Sequence, residues 1–200
     1  MGMILAPEPV VRIVAIFSRY DVAFTWAVEQ LTNRWGPLLC DTPEYPFEQT
    51  QYYTATMGPQ LRKKFLAFRV LVHPSQLVQD KRDTNDLESE YAERFRLSSP
   101  EPRPLNLDPG YVTLSKLVLA STKDFAHRIY LDRGIFAEIT LSYHHGHWTS
   151  HPWTFPDYSQ PTYHPFLTHC RDWLRVDPGY LAIAQTNRQL RVLEKRPPQA

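Results

Sequence analysis

One apolar run near the start of the chain constrains its fold more than any other feature. Residues Val10–Phe17 read VVRIVAIF, a mostly β-branched series interrupted by a single arginine. β-Branched side chains favour strands. A continuous apolar run of this length is typical of a strand that is buried on both faces. The sequence therefore predicts a buried strand in the centre of a sheet.

A helix is predicted directly after this strand. Asp21 is a good N-cap residue, and the apolar residues that follow it recur at the spacing of one helix face. Gly36-Pro37 is the pair expected just beyond a helix C-terminus. The chain therefore opens with a strand and a helix. Further strands are predicted at Tyr52–Thr56 and Lys64–Val72, and further helices from Ser75 onward, at Tyr111–Thr122 and at Phe166–Leu174.

The region from Arg128 to Phe155 has the pattern of an antiparallel meander. Asp132-Arg133-Gly134 is a three-residue hairpin loop with glycine where a positive φ is needed, and His145-Gly146 is a second turn. This loop length sets Arg128 opposite Glu138 on the neighbouring strand, and Tyr130 opposite Phe136. The predicted strands are Arg128–Leu131, Ile135–His144 and His147–Phe155.

Together these elements predict an α+β fold. We expect a single domain over residues 1–187, with a mixed or mainly antiparallel sheet and helices packed mostly on one face. Its β–α–β–β-like start is similar to half of a ferredoxin-like fold. Residues 188–200 are expected to form a disordered C-terminal tail.

Charge and cysteine content argue against several classes of protein. The 22 basic and 21 acidic residues leave a net charge of +1, so no general basic field is present to hold nucleic acid. Cys40 and Cys170 do not form a CxxC pair, and we expect reduced thiols in a cytoplasmic protein. The apolar N-terminal stretch lacks a basic leader and contains two prolines, which argues against a signal peptide or a membrane partner.

A cationic stripe is predicted on the helix at Tyr111–Thr122 and just beyond it. Helical spacing would align Lys116, Lys123 and His127 along one face. Two ammonium groups beside an imidazole suit a phosphate or carboxylate ligand, and His127 could move a proton near neutral pH. The alternative is that the lysines only face water. Asp108, in the preceding turn, is explained by helix capping.

Arg128 and Glu138 form a second candidate group. The apolar residues between Ile135 and Leu141 alternate along the strand, so we expect Glu138 on the opposite, exposed side or in a cleft. There Glu138 could act as a general base while Arg128 holds an anion. The competing interpretation is a structural cross-strand salt bridge.

Histidines and aromatic residues supply two weaker signals. His144 and His147 would be neighbours across the turn and, with His151 or Asp157, could bind zinc. Their spacing matches no standard zinc pattern, so we predict no metal site, and no motif specifies a cofactor. The aromatic loops have no basic residues interleaved, which argues against nucleic acid. We expect Trp153 and Tyr158 to form walls of a small-molecule pocket.

Several blocks of the sequence resemble one known family. In order along the chain, these blocks are NLDPGY, KLVLASTKD, HRIYL, GIFAEITL and WTFPDY, preceded upstream by PFEQTQYYTATMG, FLAFRVLVHPSQL and TNDLE. All of them are similar to the prokaryotic domain of unknown function 4416 family. The resemblance spans roughly Val10 to Val176 and implies a small soluble prokaryotic protein. It implies no mechanism and no functional residues.

Members of that family are sometimes labelled GTP-binding, and the sequence argues against a P-loop GTPase. A P-loop requires GxxxxGK[ST], yet none of the seven glycines is followed by lysine, and no GxGxxG is present. We expect instead an enzyme or binder of a small anionic ligand, a nucleotide or phosphometabolite. In that hypothesis Lys116, Lys123 and Arg128 hold the anion and His127 or Glu138 moves protons. The alternative is a non-catalytic interaction or assembly protein whose charged residues form structural ion pairs.

Overall fold

A computed structural model of the chain describes residues 4–47 and 53–194, which form one antiparallel sheet and five α-helices. The strands are β1 (Val11–Ser18), β2 (Leu38–Asp41), β3 (Tyr45–Pro46), β4 (Arg62–Phe68), β5 (Asn106–Val112), β6 (Lys116–Ser121), β7 (Ile129–Asp132), β8 (Ile135–His144) and β9 (His147–Ser150). The helices are α1 (Asp21–Trp35), α2 (Thr54–Met57), α3 (Leu77–Arg94), α4 (His164–Leu174) and α5 (Pro178–Glu194).

The sheet runs in the order β2-β4-β1-β5-β6-β8-β7, with β3 also paired to β4 and β9 also paired to β8. All of these pairs are antiparallel. The predicted α+β class is therefore confirmed. The predicted central strand is confirmed as well, because β1 lies between β4 and β5 and all eight of its residues are buried.

The first half of the chain forms a complete β–α–β–β–α–β unit. β1, α1, β2, β4, α3 and β5 occur in this order along the chain, with β3 and α2 inserted between β2 and β4, and the four strands take the order β2-β4-β1-β5. Both helices pack on the same face of these strands. This is the split β–α–β arrangement of the ferredoxin-like fold. Strands β6 to β9 extend the sheet beyond β5.

Helices cover both faces of the sheet, whereas we expected them mostly on one. Successive side chains of a strand point to opposite faces. Ile13 and Ala15 pack with residues of α4 and α5, while Val14 and Ile16 pack with residues of α1 and α3. A central strand that is apolar at every position requires this arrangement, because each face needs its own cover.

The predicted helix at Tyr111–Thr122 is wrong. Tyr111 and Val112 end β5, a short turn follows, and Lys116 begins β6. The Asp108-Pro109-Gly110 segment is likewise part of a strand rather than a capping turn. Proline is tolerated there because β6 pairs with β5 only from Gly110 onward. The helical spacing of Lys116, Lys123 and His127 therefore has no structural meaning.

Two further expectations need correction. Thr54–Met57 is a short helix, not the end of a strand, and Tyr52 lies outside the described residues. Residues 188–194 belong to α5 rather than to a disordered tail, and residues 195–200 lie outside the described range. The first half of this helix packs on the core through Tyr180 and Ala184.

Gly110 is predicted to be necessary for the close approach of β6 to β5. A Cβ at this position would lie 2.4 Å from the carbonyl oxygen of Val118 and 2.6 Å from Leu119 Cδ2. Gly110→Ala should therefore lower the free energy of unfolding, measured by urea denaturation, by about 1–3 kcal/mol.

Gly146→Ala is the control for this variant. A Cβ there meets nothing within 4 Å, so only the positive φ of 87° opposes the substitution, at a cost on the order of 1 kcal/mol. If Gly110→Ala lowers the free energy of unfolding by no more than Gly146→Ala does, β5 and β6 do not need glycine at position 110.

Candidate functional site

Four of the side chains singled out in the sequence meet at a gap in the edge of the sheet. One edge of β8 pairs with β7 at Ile135–Ala137 and with β9 at Leu141–His144. Between these segments, residues 138–140 are covered by side chains instead of a strand. Trp153 Nε1 donates to the carbonyl oxygen of Ile139 at 2.9 Å, and Thr154 Oγ1 donates to that of Thr140. The gap is thus closed by the loop after β9.

A buried ion pair lies at this gap. Arg128 Nε donates to Glu138 Oε2 at 2.8 Å, and the two side chains are only 4% and 1% exposed. Arg128 Nη1 donates to Ser121 Oγ at 2.7 Å and to the carbonyl oxygen of Lys123 at 3.0 Å. Buried charges are tolerated when they are paired and hydrogen-bonded in this way. The guanidinium is therefore committed to protein partners.

The His127 imidazole lies beside this ion pair and is stacked with neighbouring rings. Its Nε2 lies 3.3 Å from Glu138 Oε2. The imidazole is stacked between Phe125 and Trp153, with ring centroids at 5.9 and 5.5 Å, and His151 lies on the far side of Trp153. Ring contacts with Phe125 and Trp153 thus hold the imidazole beside Glu138.

The predicted site residues divide into two groups. His127, Arg128, Glu138 and Trp153 come together at the gap. The structure places the remaining three differently. Lys116 begins β6 opposite Ser142, Lys123 supplies its backbone carbonyl, and Tyr158 is buried in the core against Phe65.

Glu138 lies on a buried face, contrary to the prediction of an exposed or cleft-lining position. The register between β6 and β8 shifts near Thr140, where β8 carries one extra residue. A bulge of this kind reverses the alternation of side chains beyond it. Glu138 consequently shares a face with Leu141, while Ile139 is 40% exposed. Strict alternation could not predict this.

Lys63 is a buried functional group that the sequence analysis missed. Its side chain is fully buried and its Nζ is hydrogen-bonded to Asp157 Oδ2. Burial lowers the pKa of Lys63, and the nearby Asp157 carboxylate opposes that shift. One signal was available, since Lys63 is in phase with the core residues Phe65 and Ala67 along β4. Five rings surround the ammonium group, from Phe17, Phe47, Phe65, Tyr158 and Tyr163.

Tyr158 is part of this aromatic enclosure, whereas we predicted that it would form a wall of a small-molecule pocket. Its ring centroid is 3.6 Å from Lys63 Nζ, the shortest of the five. An ammonium group over aromatic faces is stabilised by their negative quadrupoles. Burial and the Asp157 carboxylate together raise the pKa of Tyr158 well above its ordinary value. The group is therefore a neutral phenol in the core.

An open cleft lies away from both ion pairs. Its volume is about 670 Å³, and it lies between the start of α3 and the β7–β8 hairpin. Leu77 and Val78 line one side, Tyr130 and Arg133 line the other, and Tyr111 also contributes. The volume is in the range of ligand sites. None of Lys116, Lys123, His127, Arg128 or Glu138 lines this cleft.

His144 and His147 are neighbours across the β8–β9 turn, as predicted. His144 lies opposite His147 in the β8–β9 register, and His151 Nε2 lies 2.9 Å from Ser142 Oγ. Among the described residues, no group of three or more histidine, cysteine or acidic side chains is placed to hold a metal ion. A separate finding concerns membranes: no helix within residues 4–47 and 53–194 is both long and apolar enough to span one.

Breaking the pair at the gap should destabilise the protein strongly. Glu138→Gln leaves the Arg128 guanidinium buried without a counter-charge, which should lower the free energy of unfolding by about 3–5 kcal/mol. The matched control is Asp132→Asn, because Asp132 and Arg133 form an ion pair whose side chains are both more than half exposed. The free energy of unfolding of Asp132→Asn should fall by at most about 1 kcal/mol in the same denaturation assay. Equal losses for the two variants would contradict a structural role for Glu138.

Comparison with known proteins gives a single relationship. No curated protein and no solved structure matches the chain. The family model described as Domain of unknown function (DUF4416) matches residues 8–174. This range contains every strand and helices α1 to α4, and it covers far more than half of the 200 residues. The chain therefore belongs to the DUF4416 family.

Proposed function

We propose that this chain is a non-catalytic interaction protein that binds an extended polypeptide segment of a partner protein along the outer edge of β7. The observation that carries the proposal is the state of this strand. β7 is the last strand in the sheet order, so no strand in the described part of the chain pairs with its outer edge. All four of its residues are exposed, and three of them are large and apolar.

An unpaired strand edge is a template for another strand. It presents backbone N–H and carbonyl groups that a second extended chain can satisfy. Natural proteins usually protect such edges with lysine, proline or a covering loop. β7 instead presents Ile129, Tyr130 and Leu131, with Ile129 71% exposed. We call these three residues the β7 edge surface.

Exposed apolar side chains are concentrated at the same end of the sheet. Within the described residues, seven of the fourteen exposed large apolar side chains come from positions 125–155. Contiguous apolar surface of this kind marks interaction sites. The pairing of β7 with β8 and the hydrogen bond from Trp153 to the Ile139 carbonyl connect the β7 residues, Ile139 and Trp153. The seven are Phe125, Ile129, Tyr130, Leu131, Ile139, Trp153 and Phe155.

The buried charged residues support this proposal, because their polar atoms are already bonded to other groups of the protein. Arg128 and Glu138 use their polar atoms on each other and on neighbouring groups. Lys63 and Asp157 are buried together. Side chains engaged in this way have little capacity left for a substrate. They fit the hypothesis of structural ion pairs in an interaction protein.

The cleft beside β7 offers room for the side chains of a bound segment. Tyr130 and Leu131 form one wall, and Leu77 and Val78 form the other. In strand addition, backbone hydrogen bonds provide affinity, while pockets for alternate side chains provide specificity. The partner segment is therefore expected to carry an apolar residue at every second position.

A peptide-binding experiment tests the proposal. Random peptides displayed on phage are selected on the purified full chain, and an enriched sequence is synthesised and titrated by fluorescence anisotropy. The double variant Ile129→Lys, Leu131→Lys should weaken binding by at least about tenfold, because two apolar contacts are lost. Val22→Lys with Leu181→Lys is the control, since both residues are similarly exposed and lie on α1 and α5.

Two results would oppose this function. One is a library that yields no enriched peptide, or peptides that bind the double variant as well as they bind the native chain. The other is a dimer of the native chain in sedimentation that dissociates in the double variant, because a second copy would then occupy the β7 edge surface.

A small anionic ligand, a nucleotide or phosphometabolite, is the second candidate, and the cleft is the observation that favours it. Arg133 is a largely exposed cation on its rim, and Tyr111 and Tyr130 offer aromatic walls. Its location differs from the one predicted around Lys116 and Arg128. A proton-transfer role for His127 or Glu138 stays a prediction, because neither residue lines this cleft.

Thermal unfolding with nucleotides and sugar phosphates checks the second candidate. A ligand at one hundred times its Kd stabilises the native state by about 2.7 kcal/mol, which raises Tm by several degrees. Arg133→Ala should abolish the rise. Arg175→Ala should retain it, because Arg175 also lies next to an exposed aspartate but on another part of the surface. No rise with any anion would reject this candidate.

We also place the protein in the cytoplasm as part of the proposal. Its two cysteines, both within the described residues, are unbonded thiols, which is the usual state of cysteine in a reducing compartment.

A further inference from the structure

The two cysteines of the chain lie next to each other in the fold. Cys40 is in the edge strand β2 and Cys170 is in α4, which packs on that strand. Cys40 packs against the core cluster that contains Cys170, at the contact between β2 and α4. No other cysteine exists in the sequence. The only two thiols thus meet from distant parts of the chain.

The two thiols differ in exposure and in acidity. Cys170 is completely buried, whereas Cys40 is partly exposed at the sheet edge. The hydrogen bond from Cys170 lowers the pKa of Cys40, and burial raises the pKa of Cys170 well above its ordinary value. Reactivity requires a thiolate that solvent can reach. Cys40 is therefore the attacking group, and Cys170 stays protonated until a reaction partner forms beside it.

We propose that Cys40 and Cys170 form an oxidative modification site, at which a peroxide converts the two thiols into a reversible intrachain disulfide. This site is separate from the β7 edge surface and does not depend on the proposed function. A partly exposed thiol beside a buried second thiol is the arrangement that redox-sensing cysteines use.

The reaction balances in two steps. The Cys40 thiolate attacks one oxygen of hydrogen peroxide, the O–O bond breaks, and Cys40 becomes a sulfenic acid while the departing hydroxide takes up a proton as water. The Cys170 sulfur then attacks the Cys40 sulfur. The S–O bond breaks, and the hydroxide leaves with the Cys170 proton as a second water. Both sulfurs are oxidised, the peroxide is reduced, and two thiols yield one disulfide.

The disulfide would join α4 to the edge of the sheet. Cys40 pairs with Ala67 of β4 through its backbone, and Cys170 lies in the middle of α4. A covalent bond between elements so far apart in the sequence restricts the unfolded chain over a long loop. The oxidised protein should therefore unfold at a higher temperature than the reduced one, if the bond forms without strain in the native structure.

Mass spectrometry of the full chain tests the site. The reduced protein is treated with hydrogen peroxide at low protein concentration, denatured in N-ethylmaleimide, and weighed. The native chain should lose the mass of two hydrogens and take up no maleimide, and dithiothreitol should restore both labels. Peptide mapping without reductant should recover the two cysteine peptides joined.

Two single variants separate the roles of the thiols. In Cys170→Ser, Cys40 should form a sulfenic acid that dimedone traps. In Cys40→Ser, the buried Cys170 should stay reduced and take up one maleimide after denaturation. Oxidised native chain should also show a higher Tm than reduced chain, whereas peroxide should leave the Tm of Cys40→Ser unchanged.

Three outcomes would overturn the proposal. The native chain could retain two labelled thiols after peroxide. It could accumulate sulfinic acid at Cys40 without a cross-link. It could form only dimers joined by a disulfide between two chains. Each outcome would show that the contact between Cys40 and Cys170 is packing and not a reactive pair.

Discussion

The structure depends on the fact that a buried charge must have its counter-charge beside it. Lys63 lies inside the core on the central part of the sheet, in an enclosure of aromatic rings, and Asp157 is the carboxylate that neutralises it. Removing either partner would leave an ion without compensation in a medium of low dielectric. Asp157 belongs to the loop between β9 and α4. The requirement for this contact therefore holds that loop against the first half of the chain and leads α4 onto the sheet.

The same rule explains why the charged residues do not form an open site. Arg128 with Glu138, Arg12 with Asp80, and Lys63 with Asp157 are all paired inside the protein. Desolvation raises the pKa of Asp80 to about 6 even beside its arginine, a sign of how dry these positions are. At the end of the sheet the fold also leaves several large apolar side chains exposed.

Local patterns in the sequence predicted the elements whose conformation depends on residues close together in the chain. The continuous apolar run of β1 and the helix α1 between Asp21 and Gly36 are as predicted. The predicted hairpin also forms, but Asp132 pairs with Ile135, so its loop is the two residues Arg133-Gly134 and not three. Prediction was wrong where a non-local contact overrides spacing. Lys116 and Lys123 are spaced as on a helix, but Lys116–Ser121 pairs with β8 as a strand, and Lys123 lies beyond its end. The burial of Glu138 depends on a one-residue bulge that the alternation of its neighbours does not predict. The phase of Lys63 with Phe65 and Ala67 indicates its buried face, but the rings and the carboxylate around it come from distant segments.

The order of synthesis has a consequence for the β–α–β–β–α–β unit formed by β1 to β5. A ribosome releases these residues well before Asp157, which follows Lys63 by 94 positions. Domains begin to fold as they emerge, yet this half of the sheet would have an uncompensated ammonium group on the face that α4 and α5 later cover. The nascent unit is thus expected to remain loosely packed on that face, and to offer it to chaperones, until the last third of the chain has left the exit tunnel.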